Sequence, residues 1–262
     1  MNPSSRVQDP PATSSWFAIH KPIPEVRLRL FCFPYAGGSA LIYRNWHDKL
    51  PAGIEVVPIQ LPGRGHRLCE PLFTAMNPLA NTLVEVLVPW FDKPFAFFGH
   101  SMGAVIAFEL ARLLRRKNYA KPVHLFVSGH RAPQLPDPKS PCYNLPEPEF
   151  LDHLKSLEGT PVEVINNAEL MALMMPVLRA DFELVETYTY SPEPPLDISF
   201  SCFGGVDDHE ADGENLEAWR EQTNASYTRE CFPGNHFFLN THQRLLLGTL
   251  ARHLNKLLGS LP

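Results

Sequence analysis

Residues 93–114 read K-P-F-A-F-F-G-H-S-M-G-A-V-I-A-F-E-L-A-R-L-L, and this stretch decides the fold. It begins with an apolar, aromatic run at residues 95–98, which is typical of a buried strand. A G-x-S-x-G pentapeptide follows at residues 99–103, and apolar residues then recur at helical spacing from Ala104 onward. The order of strand, sharp turn and helix predicts that Ser101 lies on a strained corner with its hydroxyl exposed, where it can act as a nucleophile.

The pentapeptide alone is a weak signal, because a glycine-serine turn between a strand and a helix is often simple punctuation. Here the context favours chemistry. Gly99 and Gly103 supply the small residues needed where the backbones of strand and helix come close. The N-terminus of the following helix offers free N–H groups and a positive dipole end to an oxyanion. We therefore interpret Ser101 as a nucleophile, with a plain turn as the alternative.

The length of the chain fits a single α/β domain. The chain has 262 residues, of which 44% are hydrophobic, and its formal net charge is −5. These values allow one large core. No basic run indicates nucleic acid as a partner, and no apolar stretch reaches the length that spans a bilayer.

The cysteines indicate a reducing compartment, and the histidines and cysteines do not indicate a zinc site. The five cysteines lack C-x-x-C spacing, and no cluster of histidine and cysteine has the spacing of zinc ligands. The sequence thus predicts a cytoplasmic, monomeric protein without structural disulfides, metal or cofactor. Residues 1–25 hold no apolar signal segment, and we expect them to form a disordered leader.

Strands and helices alternate along most of the chain. The pattern predicts strands at residues 26–33, 54–61, 95–98, 122–128, 197–203 and 227–232. Predicted helices cover residues 41–50, 77–91, 104–114, 149–157, 167–188, 215–223 and 243–258. Such alternation indicates βαβ units and a mostly parallel central sheet flanked by helices. Pro58 predicts an edge or irregular strand, and Asn77 is the expected N-cap of its helix with Pro78 at the first position.

The regular alternation breaks at residues 131–190, which we predict to be a helical lid inserted between core segments 26–130 and 191–262. Residues 131–149 contain six prolines and are too long for a tight connection. In the helix 167–188, Pro176 predicts a kink or break. Three methionines at positions 171, 174 and 175 suit an adaptable wall for a flexible ligand, and simple packing on the core is the alternative.

A serine nucleophile needs a base and an acid that orients the base, and in a sheet of this kind they follow in the order Ser, Asp or Glu, His. His236 follows the last predicted strand in a glycine-bearing loop and is the predicted base. His130 comes after the strand that follows the nucleophile helix, where it is either pocket-lining or structural. Asp207 and Asp208 both follow the strand ending at residue 203, and spacing alone does not choose between them.

An oxyanion hole requires two backbone donors. One is expected from the residue after the nucleophile, Met102. The other is expected from the loop after an early strand, which here covers residues 34–39, and the N–H of Ala36 is the candidate. A backbone donor suits this task because it cannot rotate away.

Several sequence blocks occur together in an order that resembles one family. They are F-P-Y-A-G-G-S at 33–39, L-P-G-R-G at 61–65, F-F-G-H-S-M-G-A at 97–104, L-R-A-D-F at 178–182, E-A-W-R at 217–220 and P-G-N-H-F-F-L at 233–239. Together they resemble the type II thioesterases. These are stand-alone α/β-hydrolases that accompany polyketide and nonribosomal peptide synthetases, and they are related to the medium-chain acyl-carrier thioesterases of fatty-acid synthesis.

The resemblance implies an α/β-hydrolase fold with a mobile helical lid. It implies hydrolysis of acyl or aminoacyl thioesters from the phosphopantetheine arm of a carrier protein, which edits or releases growing chains. The family's acid follows a G-x-x-D pattern, which favours Asp208 over Asp207, and its oxyanion donors match Ala36 and Met102. Asn235 departs from the family, which usually has a second glycine before the histidine.

Two other functions remain as alternatives. A general carboxylesterase or lipase would use the same triad, but the L-R-A-D-F and L-P-G-R-G blocks argue against it. A non-catalytic partner of a synthetase would not need an intact set of triad residues.

Overall fold

The computed structural model describes residues 15–17, 19–157, 159 and 162–261. Its strands are β1 (Leu28–Phe33), β2 (Ile54–Pro58), β3 (Phe95–His100), β4 (His124–Ser128), β5 (Ser199–Gly205) and β6 (Tyr227–Phe232). They form one sheet in the order β2-β1-β3-β4-β5-β6, and every neighbouring pair is parallel. The predicted parallel sheet is therefore confirmed. Pro58, which has no N–H to donate, lies on the edge strand β2, in agreement with its prediction.

The α-helices connect later strands of the sheet or follow the last one. They are α1 (Met76–Leu87), α2 (Met102–Arg116), α3 (Glu147–Ser156), α4 (Val162–Ile165), α5 (Ala168–Glu186), α6 (Gly213–Glu217), α7 (Phe238–Thr241) and α8 (Gln243–Ser260). None of the helices in the described part of the chain is long and apolar enough to cross a bilayer.

The sheet buries apolar side chains on both faces, as parallel strands do when helices cover both sides. In β1, Phe31 and Phe33 pack into the core cluster that contains α1 and α2, whereas Leu30 and Cys32 pack into the cluster that contains α8. This division follows from the alternation of side chains along a strand. All the predicted site residues lie at the carboxyl ends of strands or just after them: Ala36, Ser101, Met102, His130, Asp208 and His236.

The segment between β4 and β5 contains α3, α4 and α5 and has an apolar cluster of its own. Phe150, Leu154, Met171 and Leu178 are buried in this cluster. Of the kink or break predicted at Pro176, the break is wrong, since α5 continues through this residue. A proline inside a helix costs about 3 kcal/mol, and burial of side chains such as Leu178 offsets that cost.

Two local predictions differ from the structure. The predicted helix 41–50 is a short 3₁₀ turn, Ala40–Tyr43, that Ser39 caps. Helix α1 begins one residue before Asn77, and Ala75 in extended conformation is its N-cap. In the structure, Asn167 is the N-cap of α5, and its side chain accepts hydrogen bonds from two N–H groups of the first turn.

The prediction of a disordered leader through residue 25 is wrong for its later part. Ser15–Phe17 forms a 3₁₀ turn, and Trp16 and Phe17 are buried in the core. The carbonyl of Trp16 accepts a hydrogen bond from Gln60 N, and the guanidinium of Arg67 lies 4.0 Å from the Trp16 ring centre. Two large apolar side chains therefore anchor this segment. Residues 1–14 and residue 18 of that prediction lie outside the described residues.

Candidate active site

Ser101 occupies the sharp turn between β3 and α2. Its backbone angles are φ 54° and ψ −120°, which a residue with a side chain adopts only where the surrounding structure holds it in place. Its N–H donates to the carbonyl of Ser128 at 2.7 Å. A Cβ on Gly99 would lie 1.9 Å from the carbonyl oxygen of Gly103, and one on Gly103 would lie 2.2 Å from that of Phe33. The strained corner predicted from the pentapeptide is present, and both glycines are sterically required.

His236 and Asp208 form a hydrogen-bonded pair at the ends of β6 and β5. His236 Nδ1 lies 3.0 Å from Asp208 Oδ2, and the Asp208 side chain is fully buried. The side chain of Asp207 is exposed instead. Asp208 Oδ1 also accepts a hydrogen bond from the N–H of Glu210 at 2.9 Å. The structure thus brings Asp208, and not Asp207, to the histidine.

The charge state of this pair follows from its surroundings. Burial alone would raise the pKa of the Asp208 carboxyl, but the hydrogen bond and charge of His236 and the Glu210 N–H outweigh it, so the pKa lies below its ordinary value. An ionised carboxylate accepts from Nδ1, which fixes the proton of neutral His236 on that nitrogen. The lone pair of Nε2 is then left for a proton acceptor role.

Ser101, His236, Ala36 and Met102 line the same cavity, which has a volume of about 870 Å³. Met102 is the first residue of α2, so its N–H is one of the N–H groups of the first turn that have no intrahelical partner. In the loop after β1, the next N–H after Ala36 donates to Asp181. The structure therefore brings the candidate nucleophile, base and oxyanion donors to one site.

The far wall of the cavity comes from the segment between β4 and β5. Met174, Leu178 and Phe182 of α5 line it, together with Leu154 of α3. Met171 faces the small cluster beneath. Both interpretations of the methionines hold in part, because one lines the cavity and another packs in a core.

His130 lines the cavity, which confirms the pocket-lining interpretation. Its Nδ1 lies 2.7 Å from the carbonyl oxygen of Arg131. Burial lowers the pKa of His130 to about 4, so the ring is neutral at pH 7 with the proton on Nδ1.

His100 was not predicted as a site residue, but it packs against the predicted base, His236. The ring is fully buried, its Nδ1 lies 2.9 Å from Ser128 Oγ, and its centre lies 5.1 Å from that of His236. Burial holds the pKa of His100 well below its ordinary value, so a neutral ring packs against His236. Its place next to Ser101 inside the pentapeptide was the available signal.

The strained serine, the histidine–aspartate pair and the parallel sheet together define an α/β-hydrolase with a serine-based site. A family model described as "Thioesterase domain" matches residues 28–258. The chain therefore belongs to the thioesterase family.

Individual relatives agree with this assignment. The chain is 44% identical to linear gramicidin dehydrogenase LgrE of Brevibacillus parabrevis, over 94% of each chain. It is 42% identical to gramicidin S biosynthesis protein GrsT of Aneurinibacillus migulanus, over 94% of this chain and 96% of GrsT. The solved structure of RedJ, a thioesterase of the prodiginine pathway in Streptomyces coelicolor, superposes with a TM-score of 0.82 at 41% identity, over 87% of this chain and 90% of RedJ. These matches confirm the resemblance to type II thioesterases.

Proposed function

We propose that this protein hydrolyses acyl or aminoacyl thioesters held on the phosphopantetheine arm of a carrier protein. In this role it edits or releases chains in polyketide, nonribosomal peptide or fatty-acid biosynthesis. The observation that carries the proposal is that His236, paired with the buried Asp208, lines one large cavity together with Ser101 in a chain of the thioesterase family. A cavity of about 870 Å³ has room for an acyl chain as well as the thioester.

The first half-reaction forms an acyl-enzyme. His236 Nε2 takes the proton of Ser101, and Oγ attacks the thioester carbonyl. The N–H groups of Ala36 and Met102 stabilise the oxyanion. When the tetrahedral intermediate collapses, the C–S bond breaks and the thiolate takes the proton from His236.

The second half-reaction releases the acid. His236 removes a proton from water, which attacks the ester carbonyl on Ser101. The serine oxygen leaves and takes that proton back. Throughout, Asp208 holds the ring in the Nδ1–H tautomer and stabilises the imidazolium that forms twice in each cycle.

We propose that residues 131–190 are a lid over the core formed by residues 26–130 and 191–262. The contribution of Met174, Leu178 and Phe182 to the cavity wall supports this division. A lid of this kind would exclude water and select the acyl group.

The name of LgrE raises dehydrogenase as a second candidate. The turn after β1 reads P-Y-A-G-G-S at residues 34–39. A dinucleotide-binding fold carries G-x-G-x-x-G at this turn, so the sequence of this chain does not support that candidate.

A reduced, cytoplasmic and monomeric protein remains our proposal. All five cysteines are free thiols, at positions 32, 69, 142, 202 and 231. This agrees with a reducing compartment. Light scattering on the purified protein measures the oligomeric state directly.

The test compares hydrolysis of an acyl-loaded carrier protein with that of an oxygen ester of the same acyl group. We expect the wild-type enzyme to prefer the carrier thioester and Ser101→Ala to lose activity on both substrates. A fluorophosphonate probe should label the wild-type enzyme at Ser101. Preference for the oxygen ester would indicate a carboxylesterase, and an unlabelled wild-type protein would indicate a non-catalytic partner.

A further inference from the structure

Two blocks that carry the family resemblance meet in the folded protein. Arg64 lies in L-P-G-R-G after β2, and Asp181 lies in L-R-A-D-F on α5. Arg64 Nη1 and Nη2 each donate to one carboxylate oxygen of Asp181 at 2.8 Å. The side chains are 8% and 3% exposed, so this is a buried, bidentate ion pair between residues 117 positions apart.

The same two side chains hold the loop that carries the oxyanion donor. Asp181 Oδ2 accepts a hydrogen bond from Gly37 N at 2.7 Å. Arg64 Nη1 donates to the carbonyl of Gly38 at 2.9 Å. Both contacts are made to the residues that directly follow Ala36. The ion pair therefore holds the loop through two hydrogen bonds, one to an N–H group and one to a carbonyl group.

The loop needs these hydrogen bonds because its own sequence allows many backbone conformations. Gly37 has φ +73°, and Gly38 follows it, so the backbone has more freedom than at other residues. A Cβ on Gly37 would lie 2.5 Å from Leu178 Cδ2, which places the loop directly against α5. An oxyanion donor is effective only when it is fixed before the reaction.

We propose that the Arg64–Asp181 pair positions the oxyanion hole by fixing the Gly37–Gly38 backbone, and that it ties this loop to α5. The proposal rests on the proposed function, since it assigns Ala36 N–H to the oxyanion. Arg64 and Asp181 are positioning residues that act through the loop. The donor geometry then depends on α5 being packed in place, which couples the wall of the acyl cavity to the catalytic step.

A purely structural role is the rival explanation, and stability alone cannot decide. Breaking a buried ion pair from one side is destabilising, whereas replacing both partners by apolar residues is often neutral or stabilising. The double variant Arg64→Met/Asp181→Leu therefore removes the hydrogen bonds to the loop without leaving a buried unpaired charge. It separates the loss of positioning from the loss of stability.

The experiment measures kcat, KM and the thermal midpoint for Asp181→Asn and for the double variant. We expect kcat to fall about 10²-fold in both, as for a displaced catalytic donor, with KM within about threefold of wild type. The double variant should regain stability relative to Asp181→Asn without regaining kcat. A double variant with wild-type kcat would overturn the proposal.

A trifluoromethyl ketone inhibitor gives a second readout, because its adduct with the serine carries an oxyanion. Its affinity should fall in parallel with kcat/KM in Asp181→Asn. Binding of the acyl-carrier, compared between Ser101→Ala and Ser101→Ala/Asp181→Asn, should not change. Unchanged inhibitor affinity would contradict a role in the oxyanion hole.

The matched control is Glu55→Gln, which breaks another buried arginine–carboxylate pair. Arg29 Nε lies 2.6 Å from Glu55 Oε2 near the amino ends of β1 and β2, away from the cavity. We expect a lower thermal midpoint with kcat within twofold of wild type. An equal loss of kcat in this control would overturn the proposal. A wild-type enzyme active only on the oxygen ester would refute the proposed substrate instead, and the variants would then be compared on that ester.

Discussion

His236 Nδ1 and Asp208 Oδ2 lie 3.0 Å apart because the loops after β5 and β6 press against each other. A Cβ on Gly205 would lie 2.4 Å from the carbonyl oxygen of Gly234, and the N–H of Asp207 donates to that same oxygen at 3.0 Å. This backbone bond turns the side chain of Asp207 outward and that of Asp208 inward. One glycine and one backbone contact thus select which of two adjacent aspartates meets the base.

Asp208→Asn should lower kcat far more than Asp207→Asn. An asparagine amide can donate to the histidine, which favours the wrong tautomer of His236, and an equivalent change in another serine hydrolase lowers kcat by about 10⁴-fold. We expect a loss of about 10³- to 10⁴-fold for Asp208→Asn and less than about twofold for Asp207→Asn. Steady-state hydrolysis of a carrier thioester measures both. The opposite order of losses would show that the pairing in the structure is not the functional one.

Gly103→Ala and Gly248→Ala should change stability in opposite directions. A Cβ on Gly103 would lie 2.2 Å from the backbone oxygen of Phe33, so strand or helix must shift. We expect the free energy of unfolding to fall by at least about 2 kcal/mol. Gly248 lies inside α8 with open space where a Cβ would be, so alanine should add about 0.5–1 kcal/mol.

Urea unfolding of the two variants at pH 7.5 measures this difference. A Gly103→Ala protein as stable as wild type would mean that β1 and α2 approach less closely than the structure has them.

Local sequence patterns were sufficient to predict features that depend on residues close together in the chain. The limits of β6 were predicted correctly at residues 227–232, and so was the strained turn at Ser101. Both depend on side-chain alternation or on glycines within a few residues. The burial of Trp16 and Phe17 was missed, although two large apolar side chains in a polar leader were the available signal.

The features that could not be predicted from the sequence depend on long-range contacts. The choice of Asp208 depends on a turn packing against the loop of the neighbouring strand, which spacing within one turn does not encode. The Arg64–Asp181 pair joins residues 117 positions apart, and the sequence revealed it only as two separate blocks. Pro176 was expected to kink or break its helix, and α5 does not break there, because burial in the tertiary structure prevailed over local propensity.

His124→Gln should flatten the pH dependence of stability. His124 is buried, with Nε2 2.8 Å from Ser201 Oγ, and burial together with the charge of His253 lowers the pKa of His124 to about 3. An unfolded histidine has a pKa of about 6.5. The unfolded state therefore binds a proton that the folded state does not. The contribution of His124 to stability is therefore fully present above about pH 6.5 and is lost as the pH drops toward 3.

Each such proton contributes a slope of about 1.4 kcal/mol per pH unit. Between pH 5.5 and 4.5 we expect the free energy of unfolding of His124→Gln to vary with a slope lower by about this amount. Urea titrations at a series of pH values measure the slopes. Parallel curves for variant and wild type would show that His124 is protonated in the folded protein.

Met174→Trp should shorten the acyl chains that the enzyme accepts. Met174 lines the cavity wall on α5, and a larger ring would fill space that a long acyl chain needs. We expect kcat/KM for long acyl groups to fall at least about tenfold, with acetyl and propionyl groups changed less than about twofold. The measurement is a series of carriers loaded with acyl groups of increasing length.

The same substitution at the neighbouring residue is the control. Leu173 lies on the same helix but is 56% exposed and does not line the cavity. Leu173→Trp should leave the profile of chain lengths unchanged. A uniform loss across all lengths in Met174→Trp would place the acyl chain elsewhere, because a wall that limits length must discriminate between long and short substrates.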